Sequence, residues 1–152
     1  MLEKYLNNNL EKPKFLFHGS PKVLDVIAPR QAHDSNSNLE NEDFAVFLTS
    51  SFIIASAYAF KDKVKELSRD LDWSFEIGGD VTGEVNIDFN NVRVQDDLYG
   101  YIYVFDYDDS YEHYGNSIQY KCHKDIKPID AVKVKFSDFK DFYVINQRNK
   151  QL

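Results

Sequence analysis

The chain has few of the residues that form covalent or metal cross-links. Cys122 is the only cysteine among 152 residues, so no disulfide can form within the chain and no cysteine-based zinc site of the usual kind can be assembled. His33, His113 and His123 show neither the H-x-H nor the H-x-x-x-H spacing that is typical of metal ligands. We therefore expect no metal, and the cysteine content favours a reducing, cytoplasmic location.

Glycine and long apolar runs are also scarce. The six glycines are scattered, and none forms the G-x-G-x-x-G or P-loop pattern that holds phosphate groups, which argues against a Rossmann dinucleotide site. No apolar run approaches the roughly 18 residues of a membrane-spanning helix. Residues 1–10 include charged residues and three asparagines instead of an apolar signal core. We expect neither export nor a membrane partner.

Positive charge is in the minority. The chain has 18 lysines and arginines against 25 aspartates and glutamates, which gives a formal net charge of −7. Affinity for nucleic acid depends on clustered Lys and Arg. Lys61, Lys63 and Lys65 come closest to a basic cluster, but their spacing spreads them around a helix. Charge alone therefore favours a protein over nucleic acid as the macromolecular partner.

The composition supplies ample material for a hydrophobic core. Hydrophobic residues make up 43% of the chain and aromatic residues 15%. The length is typical of one domain, and no repeat or internal linker divides the sequence. We predict a single domain over residues 1–152.

Hydrophobic periodicity predicts two helices in the first half of the chain and a run of strands in the second. The helices are expected over residues 1–12 and from Phe52 to Leu67, the second capped by Thr49-Ser50-Ser51. Strands are predicted at Phe15–Gly19, Ala45–Leu48, Trp73–Ile77, Val81–Phe89, Tyr101–Tyr107, Ser117–Cys122 and Ala131–Phe136, with a closing strand or helix at Phe142–Asn146. A long polar loop is expected between Pro21 and Asp43. This order favours an α+β fold with a largely antiparallel sheet.

The first predicted strand leads into His18-Gly19-Ser20. A histidine before a glycine on a strand is, taken alone, more often a hydrogen-bonded core residue than a functional one. Here it is followed by a second strand that carries Phe47 and by a helix that carries Tyr58, eleven residues after Phe47. This order of three features is what gives the triplet a functional interpretation.

These segments resemble the ADP-ribosyltransferase superfamily, in its diphtheria-toxin and poly(ADP-ribose) polymerase branch. In that branch a first strand carries His-Gly-Ser or His-Gly-Thr, and a second strand with an aromatic residue leads into a helix that places a tyrosine eleven residues later. The resemblance covers roughly residues 15–60 and, less closely, residues 117–134. It implies two small, mostly antiparallel sheets that form a cleft flanked by helices, with NAD as the substrate.

The resemblance also implies a role for each matching residue. His18 would hydrogen-bond the adenosine-side ribose, and the backbone of Gly19 would pair with the nicotinamide carboxamide. Tyr58 would stack on the nicotinamide ring, and the Ser20 hydroxyl would support the pocket. Phe47 stands where this branch usually has a tyrosine, which keeps the stacking surface and loses a hydroxyl.

The third motif departs from the family at the residue closest to the chemistry. Gln119 stands where a glutamate is expected, upstream of a Lys127-Pro128 turn. Cleavage of the nicotinamide glycosidic bond passes through an oxocarbenium-like state, which a carboxylate stabilises and an amide does not. The loss of such a group costs about 3 kcal/mol, or about a hundredfold in rate. Glu112, in a predicted loop, is the alternative carboxylate.

Three functions remain open on the sequence. The first is an enzyme that cleaves NAD and transfers ADP-ribose to an acceptor. The second is an inactive module of the same fold that binds NAD, ADP-ribose or a nucleic-acid end. The third is an acidic protein-interaction domain without a small-molecule site. The position of Gln119 separates the first two, and a cleft at His18 and Tyr58 separates both from the third.

Overall fold

The structure is a computed structural model that describes residues 2–31, 44–67, 73–77, 85–89, 98–113 and 117–147. Its elements are α1 (Glu3–Leu6), β1 (Phe15–Ser20), β2 (Arg30–Gln31), β3 (Phe44–Thr49), α2 (Phe52–Leu67), β4 (Trp73–Ile77), β5 (Val85–Phe89), β6 (Tyr99–Asp106), β7 (Glu112–His113), β8 (Gln119–Cys122), β9 (Asp130–Lys135), α3 (Phe136–Phe139), a 3-10 helix (Lys140–Phe142) and β10 (Val144–Gln147). The bounds predicted for α2 and β4 are confirmed. The predicted strand start at Val81 and residues 32–43 of the predicted loop lie outside the described residues.

The main sheet places β1 near its centre. Its strands lie in the order β7-β8-β3-β1-β6-β9, and β2 pairs with β3. Every pairing in this sheet is antiparallel. A second sheet has the order β10-β5-β4, with a parallel pairing between β10 and β5. The predicted α+β class with a largely antiparallel sheet is therefore confirmed, and most strands belong to one open sheet.

Each face of the main sheet carries its own hydrophobic core. On one face Phe17 packs edge-to-face on Phe52 of α2, with ring centroids 5.1 Å apart. On the other face Leu16 is buried with Tyr103 and Tyr120. Adjacent residues on β1 thus enter different cores, as the alternation of strand side chains requires. β1 is packed on both faces, which fixes the position of His18 in the second half of the strand.

The start of α2 is set by a serine cap. Ser51 Oγ accepts a hydrogen bond from the backbone N–H of Ile54 at 3.1 Å. This is the N-cap interaction that satisfies one of the otherwise unpaired donors of a first helical turn. The cap explains why the helix begins at Phe52, as the sequence predicted.

The N-terminal helix is shorter than predicted because Asn8 diverts the chain. The prediction of a helix over residues 1–12 is wrong beyond Leu6. Asn8 Oδ1 accepts from the backbone N–H groups of Lys14 and Phe15, and its Nδ2 donates to the carbonyls of Phe15 and Ser50. An asparagine that binds distant backbone groups in this way competes with helix continuation.

A hydrogen bond between α1 and the start of β9 makes stability dependent on pH in the alkaline range. Tyr5 donates to Asp130 Oδ2 at 2.6 Å. Burial of Tyr5, together with the Asp130 carboxylate, raises its pKa to about 12 from an ordinary value of about 10. Because the folded-state pKa is the higher one, this contribution to stability is complete below about pH 10 and is lost as pH rises through about 12.

We expect Tyr5→Phe to show a shallower loss of stability than the wild type above pH 10. Urea denaturation at pH 8, 10 and 11 measures the free energy of unfolding of both proteins. The difference between the two free energies of unfolding should shrink as pH rises, since the wild type loses the contribution of the Tyr5–Asp130 hydrogen bond, which the variant lacks at every pH. A constant difference across this range would contradict the account.

Candidate functional site

The two central strands of the main sheet are joined at a single position. β1 pairs with β6 at all six of its residues but with β3 only at Phe17 and Thr49. An unbroken ladder would pair Gly19 with Phe47. Instead, His18 Nδ1 lies 2.8 Å from the carbonyl oxygen of Phe47. A side chain thus bridges β1 and β3 where the backbone ladder stops, and this interruption defines the candidate site.

Gly19 allows α2 to pack directly against β1. A Cβ atom at Gly19 would lie 1.9 Å from the carbonyl oxygen of Ala55 and 2.8 Å from the backbone N of Ala59. Gly100, on β6, meets the same helix, because its Cβ would lie 2.6 Å from the carbonyl oxygen of Ala59. The close approach of a helix backbone is therefore a sufficient physical reason for glycine at this position.

Tyr58 projects from the side of α2 that is turned toward β3. An α-helix turns by about 100° per residue. Viewed along the axis of α2, Phe60 therefore lies about 140° from Ala55 in one direction of rotation, and Tyr58 lies about 60° from Ala55 in the other direction. Phe60 contacts Phe136, which follows β9, at 5.6 Å between ring centroids. β9 and β3 flank the β1–β6 pair on opposite sides. The Tyr58 side chain is 41% exposed on this β3 side.

Phe47 and Gln119 share the sheet face that α2 covers. Thr49 is opposite Phe17 on β1 and opposite Gln119 on β8, and directly opposed residues of antiparallel strands point to the same face. Phe47 lies two residues before Thr49 and so has the same orientation. Both Phe47 and Gln119 are half-buried. Together with Gly19 and Tyr58 they form what we call the α2-side cluster.

His18 lies on the opposite face and faces Tyr103 in the register of β1 and β6. The Tyr103 hydroxyl donates to the carbonyl of Lys22 at 2.6 Å and accepts from the N–H of Leu24 at 2.7 Å. Burial raises the pKa of Tyr103, so this hydroxyl stays protonated at neutral pH. Tyr103 thereby holds the segment that follows β1 against the His18 face.

Ser20 supports the same segment. Its side chain is buried, and its Oγ accepts from the N–H of Lys22 at 3.1 Å. The hydroxyl thus fixes the turn after β1, and its implied support of a ligand pocket stays a prediction. Tyr103 was not singled out from the sequence. The alternation of tyrosines at positions 99, 101 and 103 was the available signal, but the partner of Tyr103 depends on strand order.

Glu112 lies away from the α2-side cluster. The prediction that it stands in a loop is wrong, because it belongs to β7 at the edge of the sheet. Glu112 is opposite Lys121, which is opposite Phe47 on β3. Two strand spacings therefore separate its backbone from β3, or about 10 Å. Its carboxylate pairs with His123 Nδ1 at 3.0 Å, and both side chains are about half exposed.

The part of the chain that the structure describes gives little support for a metal site or for a membrane-spanning helix. None of the described residues forms a group of three or more His, Cys, Asp or Glu side chains arranged to hold a metal ion. His113 Nε2 lies 2.6 Å from the carbonyl oxygen of Ser117, and its ring stacks on Tyr120. The described helices include none that is long and apolar enough to cross a membrane.

Comparisons with protein-family models, with curated proteins and with solved structures give no match. A functional proposal therefore depends on the geometry of the His18 region and on the motif resemblance.

Proposed function

We propose that this protein is an ADP-ribosyltransferase-like domain that binds NAD where β1 and β3 separate. The observation that supports this most strongly is the arrangement around Gly19. Phe47 lies on β3, Tyr58 on α2 and Gln119 on β8. The strand register and the helix geometry direct all three toward the sheet face on which α2 packs against Gly19. His18 adjoins them from the other face through Phe47.

The proposed binding mode uses both faces of this interruption. The nicotinamide ring stacks on Tyr58 and Phe47, since aromatic faces supply a large contact area for a planar ring. The carboxamide pairs with backbone groups of Gly19, and His18 binds the adenosine-side ribose. The cleft expected between two sheets belongs to this proposal, together with the cytoplasmic location and a protein acceptor.

The reaction would break the bond between the nicotinamide nitrogen and the ribose carbon. The electron pair of that bond leaves with nicotinamide, and the ribose carbon becomes an oxocarbenium-like centre. A nucleophile of the acceptor, or water, then supplies the electron pair of the new bond and loses its proton. Gln119 would hydrogen-bond a ribose hydroxyl in this proposal, but its neutral amide does not stabilise the developing positive charge.

A second candidate function follows from the neutral amide at Gln119. With an amide at Gln119 and Glu112 about two strand spacings from β3, the described residues of the α2-side cluster include no carboxylate. A module that binds NAD or ADP-ribose and turns it over very slowly would need only the stacking and hydrogen-bonding groups. Binding and turnover are therefore separate questions for this site.

We expect Gln119→Glu to increase the rate of nicotinamide release from NAD by about a hundredfold. The carboxylate would supply the electrostatic stabilisation that the amide lacks, worth about 3 kcal/mol at the transition state. Chromatographic quantification of nicotinamide, with saturating NAD, measures this rate. Glu112→Gln is the matched control, since it changes one carboxylate at the sheet edge and should leave the rate unchanged. Loss of turnover in Glu112→Gln alone would place the catalytic carboxylate on β7 instead.

A further inference from the structure

Two lysine side chains from different elements converge on the ring of Tyr99, the first residue of β6. Lys63, on α2, holds its Nζ 3.8 Å from the ring centroid and donates to the Tyr99 carbonyl oxygen at 3.1 Å. Lys133, on β9, holds its Nζ 4.4 Å from the same centroid. The ring packs edge-to-face on Tyr101 and is 39% exposed. Tyr99 thus presents two cations at the surface through cation–π contacts.

The two ammonium groups concentrate positive charge on an acidic chain. Since both lie close to one centroid, they can be no farther apart than the sum of the two distances, or about 8 Å. That separation is below the screening length of about 10 Å at 0.1 M salt, so the charges repel each other. None of the described carboxylates forms an ion pair with either group. A bound anion would compensate both charges.

Protection of the sheet edge explains only part of this arrangement. β9 is the last strand in the order of the main sheet, and lysines on such strands discourage association between sheet edges. Lys133 and Lys135 fit that role. Lys63 does not, because it lies on α2 and reaches the Tyr99 ring from there.

The charge and the ring favour a phosphate monoester as the bound group. A phosphate monoester carries a charge of about −1.5 to −2 at neutral pH, which matches two ammonium groups, whereas a single carboxylate matches one. Lysine binds phosphate as a point charge, and the positive periphery of an aromatic ring tolerates a neighbouring anion. Lysines over the ring compete with the stacking of a nucleic-acid base.

We infer that Lys63 and Lys133, arranged on Tyr99, form a binding site for a phosphoserine or similar phosphate monoester carried by a protein partner. The site lies on the open surface, whereas sites for small molecules are concave and bury most of the ligand. The formal net charge of −7 opposes a nucleic-acid backbone, while one phosphorylated side chain needs only local charge complementarity. None of these residues belongs to the α2-side cluster, so the site is separate from the proposed NAD site.

Titration of the full chain with a short peptide that contains one phosphoserine tests the site. NMR of the backbone amides of Tyr99 and Lys133 at pH 7.5 should show saturable shifts with a Kd on the order of 1 mM. Lys63→Gln and Lys133→Gln should each weaken binding about tenfold, since each removes a charge-assisted contact. Lys14→Gln is the matched control, because Lys14 approaches the Phe15 ring singly, at 5.8 Å, and this variant should bind like the wild type. Equal affinity in all four proteins, or no saturable binding by the wild type, would overturn the inference.

Two further ligands test the chemistry of the bound group. The same peptide with glutamate in place of phosphoserine should bind about tenfold more weakly, since it offers one negative charge. Equal affinity for the glutamate peptide would overturn the assignment to phosphate. Tighter binding of a single-stranded oligonucleotide than of the phosphopeptide would overturn the assignment to a protein partner.

Discussion

Replacing Gly19 by alanine is expected to destabilise the fold by about 3 kcal/mol, the upper end of the usual range for overpacking. The added Cβ would lie 1.9 Å from the carbonyl oxygen of Ala55. This oxygen belongs to the backbone of α2, so no change of side-chain rotamer can relieve the overlap. The helix must move away from β1, and the packing of Phe17 against Phe52 is lost with it. Urea denaturation measures the change in the free energy of unfolding.

A comparison with a second variant tests the cause of this effect. Ala55→Gly combined with Gly19→Ala should not restore stability, because the overlap is with the backbone oxygen of residue 55 and not with its side chain. The free energy of unfolding of Gly19→Ala could instead lie within about 0.5 kcal/mol of the wild-type value, which is the ordinary range for substitutions at uninvolved positions. That result would show that helix packing does not explain the glycine. A role confined to ligand binding would then be the better explanation.

Asn8→Ala is expected to lower the free energy of unfolding by about 3 kcal/mol. Its side chain makes four hydrogen bonds to backbone groups of Lys14, Phe15 and Ser50. A hydrogen bond contributes about 1 kcal/mol net, and removing one partner leaves the other without its bond. These bonds tie the N-terminal segment to the start of β1 and to the end of β3. Urea denaturation again provides the measurement.

Asn9→Ala is the matched control for this prediction. Asn9 Oδ1 accepts from the N–H groups of Glu11 and Lys12, and both bonds are exposed to solvent. Water can replace the lost acceptor at an exposed position, so we expect a change below about 1 kcal/mol. Similar losses in the two variants would show that Asn8 has no special part in holding the N-terminal segment.

Local signals in the sequence were sufficient for the elements that carry the site. Apolar patterning predicted the strand at Phe15–Gly19, and the serine cap with helical periodicity predicted the bounds of α2. The helix over residues 1–12 was predicted too long because the partners of Asn8 lie up to 42 residues away, and no local pattern reveals them. The short strand β7 has two residues, too few for any periodicity to appear.

The candidate site could be predicted in part for the same reason. The order and spacing of His18, Phe47 and Tyr58 can be taken directly from the sequence by comparison with a known motif, and they predict a ligand site there. The contact between Gly19 and α2 depends on how the helix crosses the sheet, so the packing reason for this glycine emerged only from the structure. The separation of Glu112 from Phe47 depends on strand order, which the sequence does not specify. The single domain over residues 1–152 stays a prediction.

Calorimetric titration of the protein with NAD is the most direct test of a site at this interruption of the sheet. Tyr58→Ala and Tyr107→Ala form a matched pair, since the two tyrosines are 41% and 40% exposed and only Tyr58 belongs to the α2-side cluster. Stacking on an aromatic side chain contributes about 1–3 kcal/mol. We predict that the wild type and Tyr107→Ala bind NAD with similar affinity and that Tyr58→Ala binds about tenfold more weakly or worse. Absence of binding by the wild type, or equal affinity in both variants, would contradict the proposed site.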